Sequence, residues 1–146
     1  MTGAKLLIIY HSQSGNTESM AKAVYEGAVS SGADVNLKKA ADTTSDDILN
    51  CDAIIIGTPN YFGYMAGMMK DLLDRVWYII RGRMEDKPYA LFTSSGGGNR
   101  TALEVLGRLC EYLKMKRVSD DVVAKSQPSF DVLDECKRMG RELAEY

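Results

Sequence analysis

The chain has 146 residues, of which 45% are hydrophobic and 26% are charged, and its formal net charge is -2. This length predicts one domain over residues 1–146, large enough to bury a core without disulfides or metals. The near-neutral charge excludes the dense basic face of a strong nucleic-acid binder. Because the N-terminal residues show no secretory signal and no apolar run could span a membrane, we expect a cytoplasmic protein without a membrane partner.

The three cysteines, Cys51, Cys110 and Cys136, are odd in number and widely spaced. Such a pattern is typical of a reducing compartment and argues against a disulfide framework or a zinc site. We therefore expect thiols that pack as small hydrophobic side chains, and no bound metal.

Short apolar runs alternate with segments in which apolar residues recur every three or four positions. The runs predict strands, and the periodic segments predict helices. The strands are expected at 5–10, 33–37, 52–57, 89–93 and 116–124, and the helices at 16–31, 46–49, 65–80, 103–113 and 130–146. Because parallel strands need right-handed crossovers, this order predicts a doubly wound α/β fold. It would be a three-layer sandwich around a five-stranded parallel sheet of order 2-1-3-4-5.

The loop after the first strand has the composition of an anion site, and ligands of such sheets bind outside the carboxyl ends of the strands. It carries three hydroxyl groups ahead of a helix whose first N–H groups have no partner within the helix. Without Lys or Arg it differs from a nucleoside-triphosphate loop, so a terminal monophosphate fits better. The alternative is a plain helix cap at Asn16 or Thr17. The candidate residues are Ser12, Gln13, Ser14, Gly15, Asn16 and Thr17.

The residues around this loop form a recognisable motif. The pattern Ile8-Ile9-Tyr10-x-Ser12-x-x-Gly15-x-Thr17-x-x-x-Ala21-x-x-Val24 resembles the phosphate-loop signature of the flavodoxin family at every specified position. The strand–helix order resembles a flavodoxin-like fold along essentially the whole chain. The resemblance implies FMN as the cofactor, with its phosphate on residues 12–17.

Two further loops at the same edge would then hold the flavin ring. The loop after the third strand offers aromatic side chains and a tight backbone path, and its candidates are Thr58, Pro59, Asn60, Tyr61, Phe62 and Gly63. The loop after the fourth strand offers small residues for close backbone approach, and its candidates are Ser94, Ser95, Gly96, Gly97 and Gly98. The alternatives are aromatic side chains that only cover the core, and a flexible loop that leads into a helix capped by Asn99.

These two loops also bear on whether the chain resembles the electron-carrier flavodoxins or the reductases of the same family. They are similar to those of the flavodoxin-like NAD(P)H:quinone oxidoreductases, the tryptophan-repressor-binding-protein family. Electron-carrier flavodoxins usually have a stacking aromatic in the second ring loop and are more acidic, whereas the quinone reductases are longer than this chain. We predict electron transfer through FMN between redox partners. The alternative is an FMN-dependent NAD(P)H:quinone or small-acceptor oxidoreductase. Neither function requires a catalytic side chain, and a monomer and a dimer both remain open.

Overall fold

The computed structural model describes residues 3–146, and a parallel sheet forms its centre. The strands are Lys5–Tyr10 (β1), Asp34–Lys39 (β2), Ala53–Tyr61 (β3), Tyr64–Met65 (β4), Pro88–Ser95 (β5), Lys116–Arg117 (β6) and Val122–Lys125 (β7). The strand order is β2-β1-β3-β5, and β6 and β7 both pair with β5 along its outer edge. The predicted α/β fold and the predicted 2-1-3-4-5 order are confirmed, with β6 and β7 together forming the fifth position.

In the described part of the chain, five α-helices cover the two faces of this sheet. They are Asn16–Ser30 (α1), Ser45–Asn50 (α2), Gly67–Ile80 (α3), Thr101–Tyr112 (α4) and Phe130–Glu145 (α5). Alternate residues of the buried strands pack on opposite faces, so Leu6 and Ile8 belong to the apolar cluster under α1 and α5. Leu7 and Ile9 belong to the cluster under α2, α3 and α4. Within residues 3–146, no helix combines the length and the apolar character that crossing a membrane requires.

The segment after the third predicted strand is more regular than the sequence indicates. The structure continues β3 through residues 58–61 and turns it back as a hairpin onto β4, where a loop over residues 58–64 was expected. The extension forms because Thr58 and Pro59 pair with Thr93 and Ser94 of β5. This pairing carries β3 beyond the sheet core and positions the hairpin at the carboxyl edge.

The helix expected at 65–80 begins two residues later, at Gly67. Met65 is buried, but it belongs to β4 rather than to the helix. Met68 lies in the first turn of α3 and is exposed. The buried face of α3 consists instead of Met69, Leu72, Val76 and Ile80, at helical spacing.

Candidate cofactor site

A slot opens at the carboxyl edge of the sheet, where the loops after β1, β3 and β5 meet. Its volume is about 240 Å³. The slot is lined by ten of the cofactor-binding residues predicted from the sequence and by one residue that was not predicted. These residues are Gln13, Ser14, Asn16, Thr17, Pro59, Asn60, Tyr61, Ser94, Ser95, Gly96 and Ser126. Three loops that are far apart in the chain thus form one site.

The phosphate loop, residues 11–17, leaves the N-terminus of α1 open. Gly15, with φ of 96°, is the residue directly before the helix, and no side chain makes a capping hydrogen bond there. The alternative in which Asn16 or Thr17 is a plain helix cap is therefore wrong. Within the described chain, the backbone N–H groups of Ser14, Asn16 and Thr17 have no protein partner. Free N–H groups at a helix N-terminus are the arrangement that binds phosphate.

The hydroxyl groups of this loop have different surroundings. Ser12 Oγ accepts a hydrogen bond of 3.1 Å from the N–H of Gly15 and so shapes the turn. Ser14 is exposed at the slot. Thr17 is buried, and its Oγ1 lies 2.8 Å from Ser94 Oγ in the second ring loop. The Thr17–Ser94 hydrogen bond therefore joins the phosphate loop to one of the two loops expected around the ring.

The β3–β4 hairpin presents an aromatic side chain beside the slot. Phe62 and Gly63 form its two-residue turn with φ of 54° and 76°, and two positive values are characteristic of a type I′ turn. Positive φ is unusual for a bulky residue such as Phe62, whose side chain is also fully exposed. Tyr61 is half-buried and lines the slot.

Thr58 shapes the end of β3 from a buried position. Its hydroxyl accepts a hydrogen bond from the N–H of Ala66 and donates one to the carbonyl of Pro59. Its own carbonyl accepts a hydrogen bond of 2.6 Å from Thr93 Oγ1. Thr58 thus connects β3 to the residue before α3 through its hydroxyl and to β5 through its carbonyl, and it does not line the slot.

The second ring loop, residues 94–100, begins with the last two residues of β5 and is tied to the hairpin through amide groups. Asn60 Nδ2 donates to the carbonyl of Asn99, and Asn60 Oδ1 accepts from Thr101 Oγ1. Asn99 Oδ1 accepts a hydrogen bond of 2.8 Å from the N–H of Thr101, the first residue of α4. The residue directly before the helix is Arg100, which makes no side-chain cap, so the helix cap at Asn99 that the alternative expects is wrong. Ser95 and Gly96 of the same loop line the slot.

An adjoining cleft of about 370 Å³ lies on the β2 side of the phosphate loop. Ser12 and Gly15 line this cleft rather than the slot, together with His11, Lys39 and Met68. Burial lowers the pKa of the His11 imidazole below its ordinary value. Four further predicted residues lie outside both clefts, namely Phe62, Gly63, Gly97 and Gly98.

Ser126 is the slot residue that the sequence did not indicate. It directly follows β7, whose carboxyl end lies at the same edge of the sheet as the ends of β1, β3 and β5. That position in the topology is the signal that could have identified it. Its backbone has φ of 59°, in the left-handed region.

The slot suits a ligand with a terminal phosphate and a flat ring. The free N–H groups of the phosphate loop suit the phosphate, and Tyr61 and the small residues of the second ring loop can border a ring. A cleft of about 420 Å³ at the opposite, amino edge of β1 and β2 is lined by Asp34, Asp46 and Asp47, whose carboxylates disfavour a phosphate. The fold and the site define a flavodoxin-like redox protein that binds FMN. The chain belongs to the NADPH-dependent FMN reductase family, whose model matches residues 35–128.

Three proteins similar to this chain carry different names. A flavodoxin of Aquifex aeolicus (strain VF5) is 34% identical over 97% of this chain and 86% of its own length. An NAD(P)H dehydrogenase (quinone) of Archaeoglobus fulgidus is 35% identical over 70% of each chain. The solved structure of a flavodoxin from the domain Archaea superposes with a TM-score of 0.85 and 26% identity, over 97% of this chain and 96% of that one. Matches to two further quinone dehydrogenases span 62% of their length.

Proposed function

We propose that this protein carries electrons between redox partners through FMN held in the slot, within one domain formed by residues 1–146. The observation that carries the proposal is the chemical nature of the slot. None of the described residues that line it is a carboxylate, histidine, lysine, arginine or cysteine. Side chains of this kind can bind and orient a ligand, and without a base beside them their hydroxyls are not activated as nucleophiles. FMN, when bound, supplies the redox chemistry.

The phosphate loop has the groups to bind the dianionic end of the cofactor. The N–H groups of Ser14, Asn16 and Thr17 lie at or just before the start of α1, where the helix dipole favours negative charge. We assign the same function to the hydroxyls of Ser14 and Thr17. Because hydrogen bonds to a charged group contribute about 1.5–3 kcal/mol each, several neutral donors can hold a phosphate without Lys or Arg.

The other two loops have the groups to bind the ring. The second ring loop is rich in glycine, so its backbone N–H and C=O groups can approach the polar edge of a flavin closely. On the opposite side we assign the apolar wall to Tyr61 and Phe62 of the hairpin. The Asn60 contacts with Asn99 and Thr101 then hold the two walls at a constant separation.

The length of the relatives supports an electron carrier. The flavodoxin match covers most of both chains, whereas the matches to quinone dehydrogenases leave about a third of those proteins outside. We propose redox proteins as the partners. The free thiols of Cys51, Cys110 and Cys136 support a reducing, cytoplasmic location.

A second candidate function is an NAD(P)H-dependent reductase of quinones or other small acceptors. The observation that favours it is the second ring loop, in which residues 94–100 include no aromatic side chain. That side of the slot is bordered by small groups only, which leaves space for a flat second substrate against the ring. The quinone dehydrogenases among the relatives also support this function.

Anaerobic reduction of the FMN-loaded protein distinguishes the two functions. For a carrier, we expect dithionite to reduce the flavin in two resolved one-electron steps, and NADH or NADPH to leave the visible absorption unchanged on the same timescale. Rapid bleaching by either nucleotide, followed by reoxidation with a soluble quinone, would contradict the carrier and support the reductase. Failure of the purified apoprotein to bind added FMN would contradict both functions.

A further inference from the structure

The segment after β7 approaches the second ring loop through one residue, Ser126. The N–H of Ser126 donates a hydrogen bond of 2.7 Å to the carbonyl of Ser95, and its hydroxyl donates one of 3.3 Å to the carbonyl of Gly96. Both acceptors belong to residues that line the slot. Ser126 therefore contacts the loop at the two peptide units nearest to the ligand space.

The second ring loop has few other constraints on its shape. A Cβ atom built at Gly96 or Gly97 would have no neighbour within 4 Å, so no packing holds these two residues. Glycine also has more backbone conformations available than any other residue. Ser95 also bonds to Gly98 and Asn99, and the two ends of the loop are held by hydrogen bonds of Ser94 with Thr17 and of Asn99 with Asn60 and Thr101. Its conformation thus depends on a small number of polar contacts.

Ser126 has an unusual backbone conformation, which allows its hydrogen bonds to the carbonyls of Ser95 and Gly96. A φ of 59° is in the left-handed region, which serine adopts only at an energetic cost. In this conformation the N–H and the hydroxyl of the same residue both meet carbonyls of the neighbouring loop. Unfavourable backbone conformations beside a binding site persist when the surrounding contacts compensate for them.

We propose that Ser126 is a positioning residue of the cofactor site, which holds Ser95 and Gly96 in the conformation that meets the flavin ring. This inference rests on the proposed function, because it takes the slot as the FMN site. It adds a fourth loop, the one after β7, to the three loops that the sequence indicates. The residue acts through the second ring loop and needs no contact of its own with the cofactor.

The test compares Ser126→Ala with Ser129→Ala, a matched control in the same loop. Ser129 Oγ accepts a hydrogen bond from the N–H of Val132 and caps α5, and Ser129 does not line the slot. Both changes remove one hydroxyl and one hydrogen bond. The measurements are the Kd for FMN, the midpoint potential of the bound flavin, and the Tm of the apoprotein.

We expect Ser126→Ala to raise the Kd for FMN roughly three- to tenfold, as the loss of one hydrogen bond implies, and to shift the midpoint potential. Ser129→Ala should lower the Tm and leave the Kd and the potential unchanged. An unchanged Kd and potential in Ser126→Ala would overturn the inference alone. Equal losses of affinity in both variants would also overturn it, because the effect would then reflect loop stability. A wild-type protein that binds FMN elsewhere, with no effect of phosphate-loop substitutions, would overturn the proposed site itself.

Discussion

Thr17 Oγ1 and Ser94 Oγ lie 2.8 Å apart in the interior, although 77 positions separate the two residues in the chain. Either hydroxyl can donate. If Ser94 donates, the proton of Thr17 stays available for a phosphate oxygen, so ligand binding would set the direction of this bond. The pair couples the phosphate loop to the second ring loop, and neither residue can change without affecting the other.

We expect Thr17→Val and Ser94→Ala each to destabilise the apoprotein by about 1–3 kcal/mol, since each leaves a buried hydroxyl without its partner. The double variant should lose less than the sum of the two single losses, because it removes both polar groups. Urea denaturation of the three apoproteins and the wild type gives this double-mutant cycle. Additive losses would show that the two hydroxyls do not interact.

The phosphate loop should distinguish FMN from riboflavin, which lacks the phosphate. We expect Ser14→Ala to weaken FMN binding by about 1.5–3 kcal/mol, the contribution of one hydrogen bond to a charged group, and to leave riboflavin binding unchanged. Fluorescence titration of both flavins measures the two affinities. Ser30→Ala, at the far end of α1, is the control, since its hydroxyl bonds only to the Gly27 carbonyl. Equal weakening of riboflavin would contradict a phosphate contact at Ser14.

The hairpin turn should show opposite effects on stability and on binding. We expect Phe62→Asn to stabilise the apoprotein by about 1 kcal/mol, because Asn tolerates positive φ and Asn-Gly suits a type I′ turn. The same change should weaken FMN binding about three- to tenfold, since it removes one of the two aromatic side chains assigned to the apolar wall. Phe62→Leu is the control: it lacks the ring but keeps the unfavourable backbone, so it should lose affinity without gaining stability. Unchanged affinity in both variants would show that Phe62 does not contact the flavin.

His11 should make the stability of the apoprotein dependent on pH. Burial lowers its pKa below the ordinary value of 6.5, so the unfolded chain binds this proton more readily than the folded protein. This contribution to stability is therefore complete above pH 6.5 and declines as the pH falls below it. Because His11 is the only histidine, His11→Gln should remove that decline. Urea denaturation between about pH 5 and pH 8 tests this, and parallel pH profiles for the two proteins would contradict it.

The contact between α1 and α5 should depend on a glycine. A Cβ atom at Gly140 would lie 2.1 Å from the carbonyl oxygen of Val24, a backbone atom that cannot rotate away. We expect Gly140→Ala to lower the free energy of unfolding by about 1–3 kcal/mol, because the two helices must separate. Gly67→Ala is the control, since a Cβ there meets no atom within 4 Å. Equal effects of the two changes in thermal denaturation would contradict the close contact.

The existence and order of the principal strands and helices were predictable from the sequence. A strand buried on both faces leaves a run such as Leu6 to Tyr10, and a helix on one face of the sheet leaves apolar residues at helical spacing, as in Leu72, Val76 and Ile80. These patterns are local, so one segment is enough to interpret them. The phosphate loop was predictable for the same reason, since residues 12–17 are consecutive.

The extension of β3 and the pairing of Thr17 with Ser94 were decided by the tertiary structure. Residues 58–61 contain a proline and no apolar alternation, and they form a strand because β5 offers hydrogen-bond partners alongside. Ser126 comes to the slot because β7 ends at the same edge of the sheet as β1, β3 and β5. The sequence by itself thus determined the elements and the residue types available to bind FMN. Which side chains meet was decided by long-range pairing, because these partners contribute free energy only when the sheet brings their backbones together.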